Sequence, residues 1–399
     1  MVNDRKCIII GAGASFGYDN SLIEKERPPL GRDLLSRSLE IGALAEWKYP
    51  KLFSTLIDYS RKFQRDSSHF SDIDVEEFLE YLAKELENIN GKLNAGNPVP
   101  TPEQTRQFIA ELNKDFKGTI DKINEAIPKD QDPNYELRHV AAGIQSAIGE
   151  SWYLMFEVFR KYSLSYRSRF DAYQRLALSH LQEQYDLISL NYDIIFETAA
   201  SYAGMLTMYP QTQMNLPLSD PRKIINVAKV HGSINWFNGY SKGISLGNTK
   251  ERGYQLLHKI SGFLYSNRVQ IEPLVIINQA QLHQIDIQDI LISGSKYYEP
   301  ALLPPVGNYK DYDKVKDFKA NWVAATNYVN GASELVIIGT KLREQDTKLR
   351  RMIVDNVSKP IRVTVVGSSE AESNVKKLLG SKISELEVIK NFEEYSRQL

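Results

Sequence analysis

The sequence predicts an α/β protein in which a Rossmann-like open parallel sheet carries a large all-helical insertion. Two observations predict the sheet: short apolar runs recur along the chain, and helical patterns separate the later runs. A third observation predicts the insertion, because a long stretch after the first run shows only helical spacing. The chain has 399 residues, of which 42% are hydrophobic, and this is enough for two or three lobes with buried cores.

The first predicted strand is the run from Cys7 to Ile10, which is apolar at consecutive positions. Such runs are typical of parallel strands that are buried on both faces. Further runs of this kind lie at 186–190, 227–230, 335–338 and 361–366. Helical patterns lie among them, at 193–203, 346–354 and 370–379. This alternation is typical of a sheet wound in parallel.

The insertion is predicted over roughly residues 45–165, so that 1–44 and 166–399 form a discontinuous core. Prolines and glycines between the helical patterns predict loops. The helical patterns lie at 72–90, with Asp72 or Asp74 as N-cap, at 103–126, and at 135–162, which is rich in aromatic residues. Residues 238–300 include an apolar run at 274–277 that predicts a hairpin or a further strand, and we assign them no function.

The composition excludes several classes of function. Lys plus Arg (49) and Asp plus Glu (50) nearly cancel, which argues against direct nucleic-acid binding through a strongly basic surface. The single cysteine, Cys7, excludes an internal disulfide and any zinc site built on paired cysteines. The first apolar run is too short for a signal peptide or a membrane span. We therefore expect a cytoplasmic protein without a bound metal.

The segment Gly11-Ala12-Gly13-Ala14-Ser15 follows the first predicted strand directly. Two glycines let the backbone turn tightly and approach a pyrophosphate, and Ser15 adds a hydroxyl donor. The third glycine of the dehydrogenase fingerprint is absent, because Phe16 stands at its position. By itself the segment predicts either a nucleotide-binding loop or a tight turn.

Polar residues also follow two other predicted strands. Asn191 and Asp193 come after the run at 186–190, and His231-Gly232 comes after the run at 227–230. Asn191 in an Asx turn and Asp193 as a helix cap are structural alternatives. Because open α/β sheets bind ligands at the carboxyl ends of their strands, Asn191 is also suited to hold a ribose hydroxyl or a water molecule. His231 is suited to act as a general base.

Small residues follow the last two runs. Gly339-Thr340 offers close backbone approach and a hydroxyl group, and Gly367 follows the final run, where an adenine or its ribose would fit. Together the five strand ends predict a dinucleotide site with one titratable base.

These residues, in this order, resemble the sirtuin (SIR2) superfamily, and the resemblance skips the helical insertion. It implies a Rossmann-like protein that cleaves NAD+ at the nicotinamide–ribose bond. By the same resemblance, Asn191 orients the ribose or water, Asp193 supports the site and His231 is the base. The glycine loop at 11–15, Gly232, Gly339-Thr340 and Gly367 would contact the dinucleotide.

Two departures narrow the resemblance. Protein-deacylating sirtuins usually carry a four-cysteine zinc module, which this chain cannot form, and Asn191 lies in Leu-Asn-Tyr-Asp where deacylases have Gln-Asn. Both features, and the phrase His231-Gly232-Ser233-Ile234-Asn235-Trp236, are similar to zinc-less bacterial SIR2-like proteins. Members of that branch often hydrolyse NAD+ in defence against phage, and some work beside a HerA-type ATPase. The resemblance therefore implies an NAD+ glycohydrolase that produces nicotinamide and ADP-ribose.

Two alternatives use the same pocket. An NAD-dependent protein deacylase or ADP-ribosyltransferase would need a groove for an acceptor, and a non-catalytic sensor would bind NAD+ or ADP-ribose without cleaving it. The near-zero net charge permits self-association, so we expect a homo-oligomer, with the insertion at 45–165 as the contact surface.

Overall fold

The computed structural model of the protein describes residues 5–65, 67–94, 135–167, 171–212, 220–241, 275–276, 282, 296–302, 316–344 and 346–399. The strands in these ranges are β1 Arg5–Ile10, β2 Tyr185–Ser189, β3 Leu206–Met208, β4 Ile224–Lys229, β5 Gly232–Ser241, β6 Val275–Ile276, β7 Lys296–Leu302, β8 Ala332–Ile338, β9 Ile361–Val366 and β10 Ile383–Ile389. The α-helices are α1 Ala12–Phe16, α2 Leu34–Glu40, α3 Pro50–Lys62, α4 Val75–Asn94, α5 Tyr135–Ser165, α6 Ala172–Ser179, α7 Ile195–Tyr202, α8 Lys316–Asn330, α9 Thr347–Asn356, α10 Ser369–Leu379 and α11 Phe392–Ser396.

Seven strands form one sheet in the order β10-β9-β8-β1-β2-β4-β3, and every neighbouring pair is parallel. The chain places β2, β3 and β4 on one side of β1, with β3 at the edge, and then returns to build the other half outward through β8, β9 and β10. The order therefore reverses beside the central strand β1, which is the arrangement of a doubly wound, Rossmann-like sheet. The predicted fold class is confirmed.

The strands that carry the candidate site end at one level. Ile10 of β1 pairs with both Ser189 of β2 and Ile338 of β8. Ser189 pairs in turn with Lys229 of β4, and Ile338 pairs with Val366 of β9. The five loops that follow these strands consequently leave the sheet along one common edge.

The central strands are buried on both faces, which explains their uninterrupted apolar sequences. Residues 7–10 of β1 are at most 1% exposed, and residues 335–338 of β8 are fully buried. Helices α6, α7, α8, α9 and α10 contribute side chains to the same hydrophobic cluster. Burial of this kind stabilises the fold by about 25 cal/mol for each Å² of apolar surface removed from water.

A second hydrophobic cluster joins helices α2, α3, α4 and α5. It also includes Tyr192, Ile234 and Phe237, so the helices pack against the segments that leave the carboxyl edge of the sheet. Leu34 and Leu35 of α2 belong to this cluster, whereas the predicted insertion begins at residue 45. The domain boundaries at 44/45 and 165/166 stay predictions, and the predicted helix at 103–126 lies outside the described residues.

Helix α4 begins where the sequence predicts an N-cap. Asp74 Oδ1 accepts a hydrogen bond of 2.9 Å from the backbone N–H of Glu76, which satisfies a donor that the helix leaves free in its first turn. The acidic residues Glu76 and Glu77 in that turn also complement the helix dipole. This helix end lies beside the loop after β8, as described below.

The chain after β4 enters a second sheet, of order β6-β5-β7, in which both strand pairs are antiparallel. Gly232 begins β5 with a φ of +87°, and a Cβ there would lie 1.9 Å from the carbonyl oxygen of Ala301 in β7. Only glycine fits this close approach. The rest of the stretch 242–295, apart from residues 275–276 and 282, lies outside the described residues.

Within the described ranges, none of the helices combines the length and the apolar character that a membrane crossing requires.

Candidate functional site at the carboxyl edge of the sheet

The glycine loop after β1 packs directly against the glycine turn after β8. The backbone N–H of Gly11 donates to the carbonyl of Ile338 (2.9 Å), and the N–H of Gly13 donates to the carbonyl of Gly339 (2.8 Å). Gly339 has a φ of +64°, and a Cβ there would lie 2.0 Å from the backbone nitrogen of Ala14. These glycines therefore allow two loops to touch, in addition to any role that they have toward a ligand.

Asn191 joins the loop after β2 to the loop after β1. Its side-chain Nδ2 donates to Ser15 Oγ at 2.9 Å, and Ser15 Oγ lies 2.9 Å from the hydroxyl of Tyr173 on α6. Asn191 is only 5% exposed, and its Oδ1 is buried without a hydrogen-bond partner among the described residues. A buried amide oxygen in this state costs free energy unless a ligand or water satisfies it.

Asp193 is buried beside a buried cation. Its Oδ1 accepts from the N–H of Ile195, the first residue of helix α7, at 3.0 Å, while Ile194 occupies the N-cap position. Lys229 at the end of β4 is fully buried, and its Nζ donates to the backbone carbonyl of Asp193 (2.5 Å) and to Glu197 Oε1 (2.9 Å). Burial raises the pKa of Asp193, and the charge of Lys229 opposes that rise.

His231 follows β4 by two residues, as Asn191 follows β2 by two residues. Because Ser189 pairs with Lys229 on these adjacent strands, the two side chains leave the edge from strands spaced ~4.8 Å apart. His231 is 3% exposed, and its Nδ1 lies 3.3 Å from the carbonyl oxygen of Leu190. Its Nε2 is buried and makes no hydrogen bond within the described part of the chain.

A carboxylate that the sequence analysis did not include faces this nitrogen. Asp346 Oδ2 lies 3.3 Å from His231 Nε2, at ion-pair distance, and both side chains are buried. In the sequence, Asp346 marks the start of the helical pattern at 346–354 and carries no other signal. The same Asp346 caps α9, since its Oδ1 accepts from the N–H of Leu349 at 3.4 Å.

The loop between β8 and α9 is fixed to the helical cluster. Arg343 donates to Asp74 Oδ2 (2.9 Å) and to Glu76 Oε2 (2.8 Å), and both carboxylates lie at the start of α4. Burial raises the pKa of Glu76, and the opposite charge of Arg343 lowers it in turn. Asp346 and His231 also act on Glu76 electrostatically, so these five side chains form one charged group.

The remaining predicted residues lie along the same edge. Thr340 Oγ1 accepts from the N–H of Leu342 at 3.2 Å, and Gly367 has open space where a Cβ would stand. Gly367 and His231 follow strands that are four spacings apart, or ~19 Å. The loops that follow the strands therefore lie in a row along this edge, with Asn191, Asp193 and His231 at one end and Gly367 at the other.

No group of three or more His, Cys, Asp or Glu side chains that could hold a metal ion occurs among the residues described. The thiol of Cys7 is buried in β1, and burial raises its pKa, so it is not a reactive nucleophile at neutral pH.

No family model matches the chain, and no curated protein sequence matches it. Among solved structures, one described as "Structural Basis for the Mechanism and Regulation of Sir2 Enzymes" aligns with 62% of this chain and 72% of its own chain. The two are 10% identical, and the TM-score is 0.29. A likeness of this strength carries no conclusion about activity.

Proposed function

We propose that the protein binds NAD+ along the carboxyl edge of the sheet and hydrolyses its nicotinamide–ribose bond, which yields nicotinamide and ADP-ribose. One observation carries this proposal. Asn191 Oδ1 is buried without a hydrogen-bond partner among the described residues, and His231, whose Nε2 faces the Asp346 carboxylate at 3.3 Å, leaves the edge from the adjacent strand. An unsatisfied buried polar atom needs a reason, and binding of a polar ligand at Asn191 supplies one.

The chemistry needs only a few groups. Loss of nicotinamide leaves positive charge on C1′ and the ring oxygen of the ribose, as in glycoside cleavage. The amide oxygen of Asn191 carries a partial negative charge that is suited to stabilise this centre or to orient the attacking water. Because nicotinamide leaves as a neutral molecule from a cationic ring, no acid has to protonate it.

His231 is suited to take the proton of the attacking water. The carbonyl oxygen of Leu190 can only accept a hydrogen bond, so Nδ1 must be the protonated ring nitrogen when it bonds to this oxygen. The neutral imidazole then has its free electron pair on Nε2. A base in this position contributes on the order of 10²- to 10⁴-fold to the rate.

The other strand ends are assigned to the rest of the dinucleotide. Gly339 and Thr340 lie beside the glycine loop at 11–15, and we assign phosphate and ribose contacts to these segments. A Cβ at Gly367 would meet no atom within 4 Å, and we assign this open position to the adenosine part of NAD+. Because Asn191 and His231 are buried, NAD+ can reach them only when the residues around them move.

The biological setting is part of the proposal. The resemblance of the His231-Gly232 phrase to zinc-less bacterial SIR2-like proteins supports NAD+ depletion in defence against phage. We also propose a cytoplasmic homo-oligomer, which the near-zero net charge permits, and a partner such as a HerA-type ATPase, beside which some of those similar proteins work. Size measurements by light scattering, with and without a deletion of the helical insertion, test the oligomer.

The test of the activity is incubation of the purified protein with NAD+, followed by chromatographic separation of the products. We expect nicotinamide and ADP-ribose from the wild type, and at least a 100-fold slower release from Asn191→Ala and from His231→Ala. His69→Ala, which removes an exposed imidazole, is the control and keeps the wild-type rate. Equal rates in all four proteins reject the assigned roles. Nicotinamide release that depends on an added acyl-peptide identifies a deacylase instead.

A further inference from the structure

The nitrogen of His231 that the proposed reaction uses faces a carboxylate from a distant part of the chain. Asp346 Oδ2 lies 3.3 Å from His231 Nε2, and both side chains are at most 9% exposed. The other ring nitrogen is directed at the carbonyl oxygen of Leu190. The imidazole is thus held between a neutral acceptor on one side and an anionic group on the other.

Asp346 reaches this place because of the path of one loop. The chain leaves the sheet at the end of β8, and Asp346 contacts His231, which follows β4. Strands β1 and β2 lie between β8 and β4, so the loop passes the ends of both. Near its far end, Arg343 is bonded to Asp74 and Glu76 at the start of α4. The backbone N–H of Asp346 donates to the carbonyl of Arg343 at 3.1 Å. These contacts fix the position of the Asp346 carboxylate from two sides.

We propose that Asp346 is a positioning residue for His231, and that the contact between Arg343 and α4 holds Asp346 in place. The proposal rests on the proposed function. As the water oxygen forms its bond to C1′, the C1′–N bond to nicotinamide breaks and one water proton passes to Nε2 of His231. The imidazolium formed lies beside the Asp346 carboxylate, which stabilises its positive charge. The helical cluster thereby contributes to a reaction that takes place on the sheet.

Other charged groups surround the ring, and they limit the size of the effect. Arg343 on the loop pairs with Glu76 in the first turn of α4 and with Asp74 just before it, and the charges of His231 and Asp346 act on Glu76. Asp193, whose backbone carbonyl accepts from the buried Lys229, follows the adjacent strand β2. Among the described residues, Asp346 is the acidic residue within 4.0 Å of the imidazole, so its removal has the largest effect.

The chain offers a clean variant for a test. Asp346→Asn removes the charge but keeps an oxygen for the cap of α9, and asparagine is as good an N-cap as aspartate. Asp355→Asn removes an exposed carboxylate from the same helix and is the matched control. Arg343→Gln leaves Asp346 unchanged and breaks the contact with α4. It provides an independent variant if Asp346→Asn fails to fold.

The experiment has two readouts. Nitrogen NMR of ¹⁵N-histidine-labelled protein without NAD+ follows proton loss from Nε2 of His231, which is assigned with His231→Ala. Rates of nicotinamide release are then measured from pH 5 to 9. In Asp346→Asn we expect Nε2 to lose its proton at lower pH than in the wild type or Asp355→Asn. We also expect the acidic limb of the pH–rate profile to move the same way, with kcat reduced about 10-fold or more and KM within twofold. Arg343→Gln shifts both readouts in the same direction by less.

An unchanged titration of His231 in Asp346→Asn overturns the proposal, and so does a shifted titration with an unchanged kcat. If the wild type does not cleave NAD+ but the titration shifts, the proposed function has failed while the pairing of Asp346 with His231 stands.

Discussion

The side-chain amide of Asn191 donates to Ser15 Oγ at 2.9 Å, which joins the loop after β2 to the glycine loop after β1. Ser15 is 1% exposed and also contacts the hydroxyl of Tyr173. One buried hydroxyl group therefore sets the orientation of the amide whose oxygen is left unsatisfied. This three-residue contact is the part of the candidate site whose energy is most directly measurable.

Ser15→Ala is expected to lower the free energy of unfolding by about 1–3 kcal/mol, because the buried Asn191 amide and Tyr173 hydroxyl each lose their hydrogen bond to Ser15 Oγ. Urea unfolding measures this difference. Ser36→Ala on α2, where the hydroxyl is only partly buried, is the control and should change stability by about 0.5 kcal/mol or less. Equal effects of the two variants would show that the buried contact is not formed in solution.

Gly339→Ala tests the contact between the two glycine loops. The positive φ alone costs an alanine about 1–2 kcal/mol, and the clash with Ala14 adds about 1–3 kcal/mol. Gly204→Ala is the matched control, because its φ is +73° and a Cβ there meets nothing within 4 Å. We expect the urea midpoint to fall further for Gly339→Ala, by the clash energy. A similar fall for both variants contradicts the close approach of the loops.

Lys229→Met tests the buried charge at the end of β4. The substitution leaves Glu197 buried without its cation, and removal of one partner of a buried ion pair costs about 3–5 kcal/mol. The double variant Lys229→Met, Glu197→Gln should recover part of this loss, since Glu197 then carries no uncompensated charge. A single variant that is as stable as the wild type in urea unfolding would exclude the pairing.

The pH dependence of stability tests Asp193. Burial raises the pKa of this carboxyl above its usual value of 3.8 in the folded protein, so folding favours its protonated form. The stability that this group contributes is therefore fully present below pH 3.8 and is lost as the pH rises through the raised pKa. We expect the Tm of the wild type minus that of Asp193→Asn to fall from acidic toward neutral pH and then to level off. A difference that widens as the pH rises has the opposite sign and rejects the burial of the charge.

The sequence was most informative where burial alone determines the structure. All five predicted strands of this sheet are present. The bounds of β9 are the predicted 361–366. The bounds of β2 differ from the prediction by one residue at each end, and β1, β4 and β8 begin two or three residues earlier than predicted. Two strands of the seven-stranded sheet, β3 and β10, were not predicted, for physical reasons. β3 has only three residues, and β10 at the edge of the sheet has a single fully buried residue, Ile389. Edge strands carry too little apolar sequence to be recognised as continuous runs.

The site was predicted to the extent that it depends on strand ends. Because strands in a parallel sheet share one carboxyl edge, residues 11, 191, 231, 339 and 367 could be placed along it from the sequence, and the register confirms that placement. The contact of His231 with Asp346 depends on the path of a loop and on Arg343 meeting α4. No local pattern encodes such a path. Whether these residues bind NAD+ stays a prediction.

The level ends of the strands restrict how this protein can change during evolution. One residue added inside β4 would advance His231 by ~3.3 Å and turn it to the other side of the sheet, which would separate it from Asp346. A residue added to a loop at the opposite edge, where the amino ends of the strands lie, leaves the distance between His231 and Asp346 unchanged. New ligand preferences in descendants of this chain should therefore arise by insertions between the strands, with strand lengths inherited unchanged.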